Sequence, residues 1–294
     1  MIRLGYACIN TILPSPNKTF RLANYSKERM LKVLRENLDA LLRILQWNKA
    51  HQISLLRISS DLVPFGSHPI NDGAWRVKLV SEFRKIGKFI IKNKMQVSMH
   101  PGQYMVLNSL KAEVYKKALL DLQYHNNILD LMELPKSHRI IIHGGGIYSD
   151  KEKSITNTIN RISALDFDLR KRLALENDEK NFSAKDVLNV ALKTGLPAVF
   201  DIFHHQILPS FNNLDTKQII ELFSKTWPKG ERQKIHYSNQ KKLAIKGAHS
   251  ETIDLELFES FFREVGCIDL DIMLEVKDKE KSVLKIREKF PEIK

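Results

Sequence analysis

Along this chain, short apolar runs repeatedly give way to polar turn residues and then to stretches whose apolar positions recur every three or four residues. An alternation of strand and helix that never lapses has few packed solutions, because each strand must bury both faces while each helix buries one. The strand runs fall at residues 1–8, 54–59, 97–99, 139–142, 171–175, 198–201, 233–237 and 271–275. Ser26 caps the first helix, whose Met30, Val33, Leu34, Leu38, Leu41, Leu42 and Leu45 form one apolar face. A second helical face carries Val77, Val80, Phe83, Ile86 and Ile90, and a third helix spans roughly 111–132. Ser183 with Asp186 has the form of a capping box, closed downstream by Gly195. Helices near 216–226, near 254–265 and after Lys281 complete the pattern. With no linker or shift of composition to divide it, a 294-residue chain of this kind predicts one α/β domain over 1–294, a single (β/α)₈ barrel. A doubly wound open sheet is the alternative.

The ends of these strands carry the chemistry. Val97-Ser98-Met99 runs into His100 and is then stopped by Pro101 and Gly102, with Gln103 and Tyr104 on the loop beyond. His143 ends the fourth strand, Glu176 the fifth, Asp201 with His204 the sixth, His236 the seventh and Glu275 the eighth. His68 and His249 lie in loops after the second and seventh strands. In a barrel all of these open on one rim, so residues two hundred positions apart converge. Imidazoles and carboxylates in such numbers suit Mn²⁺, Zn²⁺, Co²⁺ or Fe²⁺ better than Ca²⁺, and exceed what one ion can hold. A cluster of two or three ions that activates water for displacement at phosphorus is the expectation. Lys234 shares a strand face with His236, where a neutral or modified amine fits better beside cations than an ammonium does. Asn10, just past the first strand, suits either a turn or a substrate contact, and Gly144-Gly145-Gly146 either a phosphate-binding turn or a crowded rim. His51, His125 and His138 are expected off the rim, and His205 has no assigned role.

The formal net charge of +13 makes a polyanion the natural partner. Arg232, Lys234, Lys241, Lys242 and Lys246 cluster with few intervening acids. No apolar stretch reaches the roughly 20 residues of a membrane span, and the first strand leaves no room for a signal peptide. Two widely separated cysteines, Cys8 and Cys267, fit a reducing cytoplasm. Nothing resembles a nucleotide-cofactor motif with its own lysine.

Arg3-Leu4-Gly5-Tyr6, residues 57–64 (RISSDLVP), His100-Pro101-Gly102-Gln103-Tyr104, Leu175-Glu176-Asn177-Asp178, residues 200–205 (FDIFHH) and residues 234–238 (KIHYS) together resemble the UV damage endonucleases, over nearly the full length. The resemblance implies a TIM barrel related to endonuclease IV and a site of three metals, usually Mn²⁺, with Zn²⁺, Co²⁺ or Mg²⁺ as substitutes. Its ligands here would be His68, His100, His143, Glu176, Asp201, His204, His236, His249 and Glu275. It further implies a carboxylated Lys234, with Lys234, His68 and Glu176 nearest the chemistry, and Tyr6, Gln103 and Tyr104 probing the duplex. Asn10 is grouped with them as a substrate contact. The implied reaction is hydrolysis of the phosphodiester immediately 5′ of a UV photoproduct by a monomer acting on double-stranded DNA. An abasic-site endonuclease is the near alternative, a sugar isomerase or epimerase a more distant one, and a non-catalytic DNA-binding protein would leave the ligands without a purpose.

Overall fold

The computed structural model describes residues 2–102, 104–266 and 268–293, so Gln103 and Cys267 lie outside the described residues. Eight parallel strands close into a ring in sequence order: β1 (Ile2–Cys8), β2 (Leu55–Ile58), β3 (Gln96–Met99), β4 (Ile140–His143), β5 (Leu173–Glu176), β6 (Ala198–Asp201), β7 (Gln233–Tyr237) and β8 (Leu270–Leu274). β1 pairs with β2 on one side and with β8 on the other, from Ile2 opposite Leu270 to Tyr6 opposite Leu274. That last pairing rules out the open sheet. The helices are α1 (Lys27–Ala50), α2 (Trp75–Lys78), α3 (Val80–Lys92), α4 (Ala112–Leu131), α5 (Lys151–Ser163), α6 (Phe167–Arg170), α7 (Ala184–Thr194), α8 (Ile202–Ile207), α9 (Thr216–Ser224), α10 (Leu255–Val265) and α11 (Glu280–Lys289). No described helix is long and apolar enough to cross a membrane.

Most boundaries follow from local chemistry. The Ser26 side chain accepts from the Arg29 amide at the start of α1, Ser183 and Asp186 form the reciprocal box of α7, and Gly195 ends α7 in the left-handed region. The second apolar face is not one helix. Trp75, Leu79, Phe83, Ile86 and Ile90 are the buried stripe, and the chain breaks at Leu79 between α2 and α3. Val77, two residues from Trp75, falls on the opposite side and is exposed.

The strands pack outward against the helices and inward on themselves. Small interior groups fill the barrel: Ala7, Leu55 and Met273 on one side, and Ile141, Ala174 and Val199 on the other, the latter closed from below by Trp227. Side chains two apart on a strand share a face. Two residues beyond these plugs stand Arg57, Glu275, His143, Glu176 and Asp201, all on the carboxyl side of the ring. The packing of the barrel's interior therefore sets which residues line its mouth.

Candidate metal centre

His143 lies opposite Glu176 in the β4–β5 register and Asp201 opposite His236 in the β6–β7 register, while Glu176 itself lies opposite Val199, so the candidate ligands form two register pairs that step along the mouth. Glu176 is the hub. Its Oε2 lies 2.8 Å from His100 Nε2 and 3.7 Å from His143 Nε2, and its Oε1 lies 2.7 Å from His236 Nδ1. His236 Nδ1 is also 3.2 Å from Glu275 Oε1. The ligand atoms of His100, His143 and Glu176, and those of Glu176, Asp201, His236 and Glu275, each fall within 4.8 Å of one another.

Three imidazoles are oriented from behind. His100 Nδ1 is 2.9 Å from the Pro101 carbonyl and His204 Nδ1 is 2.9 Å from the Asn177 carbonyl. A carbonyl only accepts, so each Nδ1 carries a proton and Nε2 is the atom left for a metal. His249 Nδ1 meets Ser238 Oγ at 2.8 Å, and the Ser238 hydroxyl in turn donates to the Glu275 carbonyl. His249 Nε2 then faces Glu275 Oε2 at 3.9 Å. Asn177 ties β5 to β6 by accepting the Asp201 amide and donating to the Asp201 carbonyl, both at 2.9 Å.

Charge in this pocket is unevenly held. Burial works to raise the Glu176 carboxyl, yet His236 and His100 keep it well below the usual range. Burial pushes Asp201 up to about 7, against the pull of His204 and with the repulsion of Glu176 and Glu275. Burial would lower His204, but the Asp201 and Glu176 carboxylates bring it up to about 9. Asp201 Oδ2 is buried and has no hydrogen-bond partner among the described residues. Three carboxylates in one buried pocket, one with an orphaned oxygen, and imidazoles aimed inward by their far nitrogens form a donor set that fits divalent cations.

Lys234 lies on the same face of β7 as His236, one step deeper, and is buried with no hydrogen-bond partner for Nζ among the described residues. Burial lowers its pKa to about 8; Asp271 opposes this, while Arg57, Arg3 and Arg139 add to it. Below it a cavity of about 760 Å³ opens at the amino ends of the strands, bordered by the Arg3–Asp271 pair. The cavity at the mouth is smaller, about 290 Å³, and includes His100, Tyr104, His143, Asp178 and Glu179. The candidate ligands converge on that end.

Other expected residues are placed differently. His68 is exposed on the loop after β2, its Nδ1 accepting from the Ile70 amide at 3.1 Å, and it is outside both groups of converging ligand atoms. Tyr104 projects from the loop after β3 and is 86% exposed. Tyr6 does not reach the mouth: Ala7 points into the barrel, so Tyr6 points out toward α1, where its hydroxyl donates to Asn48 Oδ1 at 2.6 Å. Asn10 is also buried, donating to the Tyr6 hydroxyl at 3.1 Å and accepting from the Ile12 amide at 3.1 Å, which is the turn role. Gly144 and Gly145 are pressed against Phe182 and Asn108, and the Gly146 amide donates to Asn108 Oδ1, so the run is a crowded rim. The basic cluster splits: Arg232 faces Asp269 and Asp271 at the amino end, Lys234 is inside, and Lys241, Lys242 and Lys246 stand on the rim. His205 packs between Phe200 and Phe211, away from the pocket. Two neighbours escape a reading of strand ends alone. Arg57 pairs with Glu275 and lies 3.3 Å from His236 Nε2, a position that the period of two after Leu55 would give. Glu179, 3.8 Å from His204 Nε2, sits in a loop with no periodic signal.

A closed (β/α)₈ barrel with a buried imidazole and carboxylate cluster at the carboxyl ends of its strands defines a class of TIM-barrel proteins with the donors of a metal centre. Within that class, the UV-endonuclease UvdE family matches residues 2–294, and the chain belongs to it. A UV DNA damage endonuclease of Clostridium perfringens (strain 13 / Type A) is 40% identical over 99% of this chain and 71% of its own length. The crystal structure of SacUVDE superposes with a TM-score of 0.94 at 41% identity, covering 99% of each chain. Endonuclease IV from Thermus thermophilus, at 12% identity and a TM-score of 0.61 over 99% of each chain, shares the fold. The chain is thus a DNA-repair endonuclease of the UV-damage type.

Proposed function

We propose that the chain acts as one endonuclease domain over 1–294, a monomer in the cytoplasm, which hydrolyses the phosphodiester immediately 5′ of a UV photoproduct and leaves a 3′-hydroxyl and a 5′-phosphate. The observation that carries this reading is the convergence of His100, His143, Glu176, Asp201, His236 and Glu275 on one pocket at the mouth of a UV-endonuclease-family barrel. His68, His204 and His249 complete the proposed ligand set. Three divalent ions held there, Mn²⁺ with Zn²⁺, Co²⁺ or Mg²⁺ as substitutes, would supply an activated water and neutralise the departing oxygen. Glu176 shares its two oxygens between the His100 and His236 sides, so it sets the spacing of the centre. Lys234, its pKa lowered by burial to about 8 and its Nζ without a hydrogen-bond partner among the described residues, suits addition of its deprotonated amine to carbon dioxide with loss of a proton, giving an anionic carbamate beneath the cations. Tyr104, with Gln103, enters the duplex at the lesion, where poor stacking lowers the cost of opening by on the order of a few kcal/mol.

Purified enzyme should nick a duplex carrying one cyclobutane dimer and lose that activity on chelation, with recovery on adding Mn²⁺. Cleavage confined to a duplex with an abasic site would replace this reading with the abasic-endonuclease one. Tyr104→Ala should lower damaged-duplex cleavage by about tenfold or more while metal content by elemental analysis stays the same.

A further inference from the structure

The hairpin after β7 holds Leu243, the most exposed large apolar side chain among the described residues at 109%, and Ile245 at 84%. Gln240 and His249 pair antiparallel at its base, and the Lys241 amide donates to the Ala248 carbonyl at 2.7 Å. The Gln240 side chain spans the tip, donating to the Lys241 and Ile245 carbonyls at 3.0 Å and accepting from the Gly247 amide at 2.9 Å. Lys246 Nζ donates to the Ile207 carbonyl at the end of α8. Leu243 occupies the left-handed region at φ 58°, which is unfavourable for a leucine. The tip is therefore a tied structure that holds two apolar side chains in water.

Its composition and position indicate what covers them. Lys241, Lys242 and Lys246 surround the two side chains within six residues that include no acid, a complement for a polyanion, with Lys241 Nζ paired at 2.6 Å to Glu251, a partner that a phosphate would replace. The base of the hairpin is part of the metal centre through His249, whose Nε2 is 3.9 Å from Glu275. In a ring of eight strands, β3 and β7 stand opposite each other. Tyr104 and the hairpin tip thus flank the mouth from two sides, with the ligand cluster between.

We propose that the 240–249 hairpin is a second insertion element, which packs Leu243 and Ile245 against a DNA duplex from the side opposite Tyr104, on the strand that faces the lesion. Apolar wedges bordered by cationic side chains enter the minor groove and unstack a base step, while the lysines hold flanking phosphates. This rests on the reading of the chain as a nuclease acting on damaged duplex, and adds that both strands are gripped.

The test compares the Mn²⁺-loaded wild type with L243A/I245A. The probe is a dimer-containing duplex with a noncleavable methylphosphonate at the scissile linkage and 2-aminopurine in the strand opposite the lesion. The wild type should bind and raise the 2-aminopurine fluorescence. The double variant, melting at the same temperature, should bind about tenfold more weakly and lose the rise, whereas L243M/I245V retains both. Equal affinity and equal fluorescence for wild type and L243A/I245A would overturn the proposal, as would a wild type that does not bind duplex at all. Nicking of the ordinary dimer duplex is scored in parallel. A wild type that binds in the hairpin-dependent way but does not nick leaves the insertion element standing and removes the assigned reaction.

Discussion

Glu176 shows how a single residue can organise the pocket. It is fully buried, yet it stays charged because His236 and His100 touch its two oxygens. Asp201 and His204 both hold their protons more tightly than usual. The His204 imidazole is raised from an ordinary 6.5 to about 9, so its contribution to stability is complete below the lower value and lost as pH rises through the upper one. Asp201, raised from 3.8 to about 7, also stabilises its protonated form and loses that contribution as pH rises through 7. Chelator-treated protein should therefore melt at a lower temperature at pH 9 than at pH 6. Coordination needs both groups deprotonated, so added Mn²⁺ should restore the melting temperature most at high pH and release protons at neutral pH, measurable with an indicator dye. A melting temperature of the chelated protein that rises over this interval would contradict the assignment.

At the scale of strands and helices, the decisive device is a repeat of two. The plugs Leu55, Ile141, Ala174, Val199 and Met273 place the residues two positions on at the mouth. The apolar runs and their polar ends are enough to identify the strands and most of the cluster, because strand faces alternate without exception over so few residues. Helix faces are read nearly as well, α1 and α7 with their caps. The failures have local causes. Val77 reads as part of a buried face because the break at Leu79 has no proline or glycine to mark it. Tyr6 is expected at the duplex, but its hydroxyl is held by Asn48 of α1, and no pattern in either segment announces that pairing. Positions such as Asn177 are invisible for the same reason, since their partners are backbone groups brought near only by folding. Asn177→Ala removes both side-chain bonds to the Asp201 backbone, so it should loosen β6 and let Asp201 shift, lowering Mn²⁺ affinity by about 10–100-fold while leaving the circular dichroism spectrum unchanged. Titration calorimetry checks this; unchanged affinity would mean that Asp201 is positioned by something else.

At the scale of the whole molecule, one buried guanidinium at the end away from the mouth ties several segments together. Arg172 is fully buried at the amino end of β5 and donates to Asp130, to Asn126 and to the carbonyls of Leu134, Pro135 and His138. Removing it strands those acceptors, so Arg172→Ala should cost about 3–5 kcal/mol, read as a lower urea midpoint, without altering which DNA is cut by the protein that remains folded. A midpoint shift under about 1 kcal/mol would show that water replaces the guanidinium.

The seam between β1 and β8 has a consequence for synthesis. From β2 to β7 each strand pairs with the one made just before it, whereas β8 must pair with β7 and also close back on β1, and Glu275 follows directly after it. The carboxylate facing His236 and Arg57 is thus delivered by the segment that completes the ring. A nascent or truncated chain ending before β8 lacks that carboxylate altogether. With Glu275 in the proposed ligand set, competence to break DNA would be conferred by the same event that closes the barrel, and chains ending before β8 should leave damaged duplex intact.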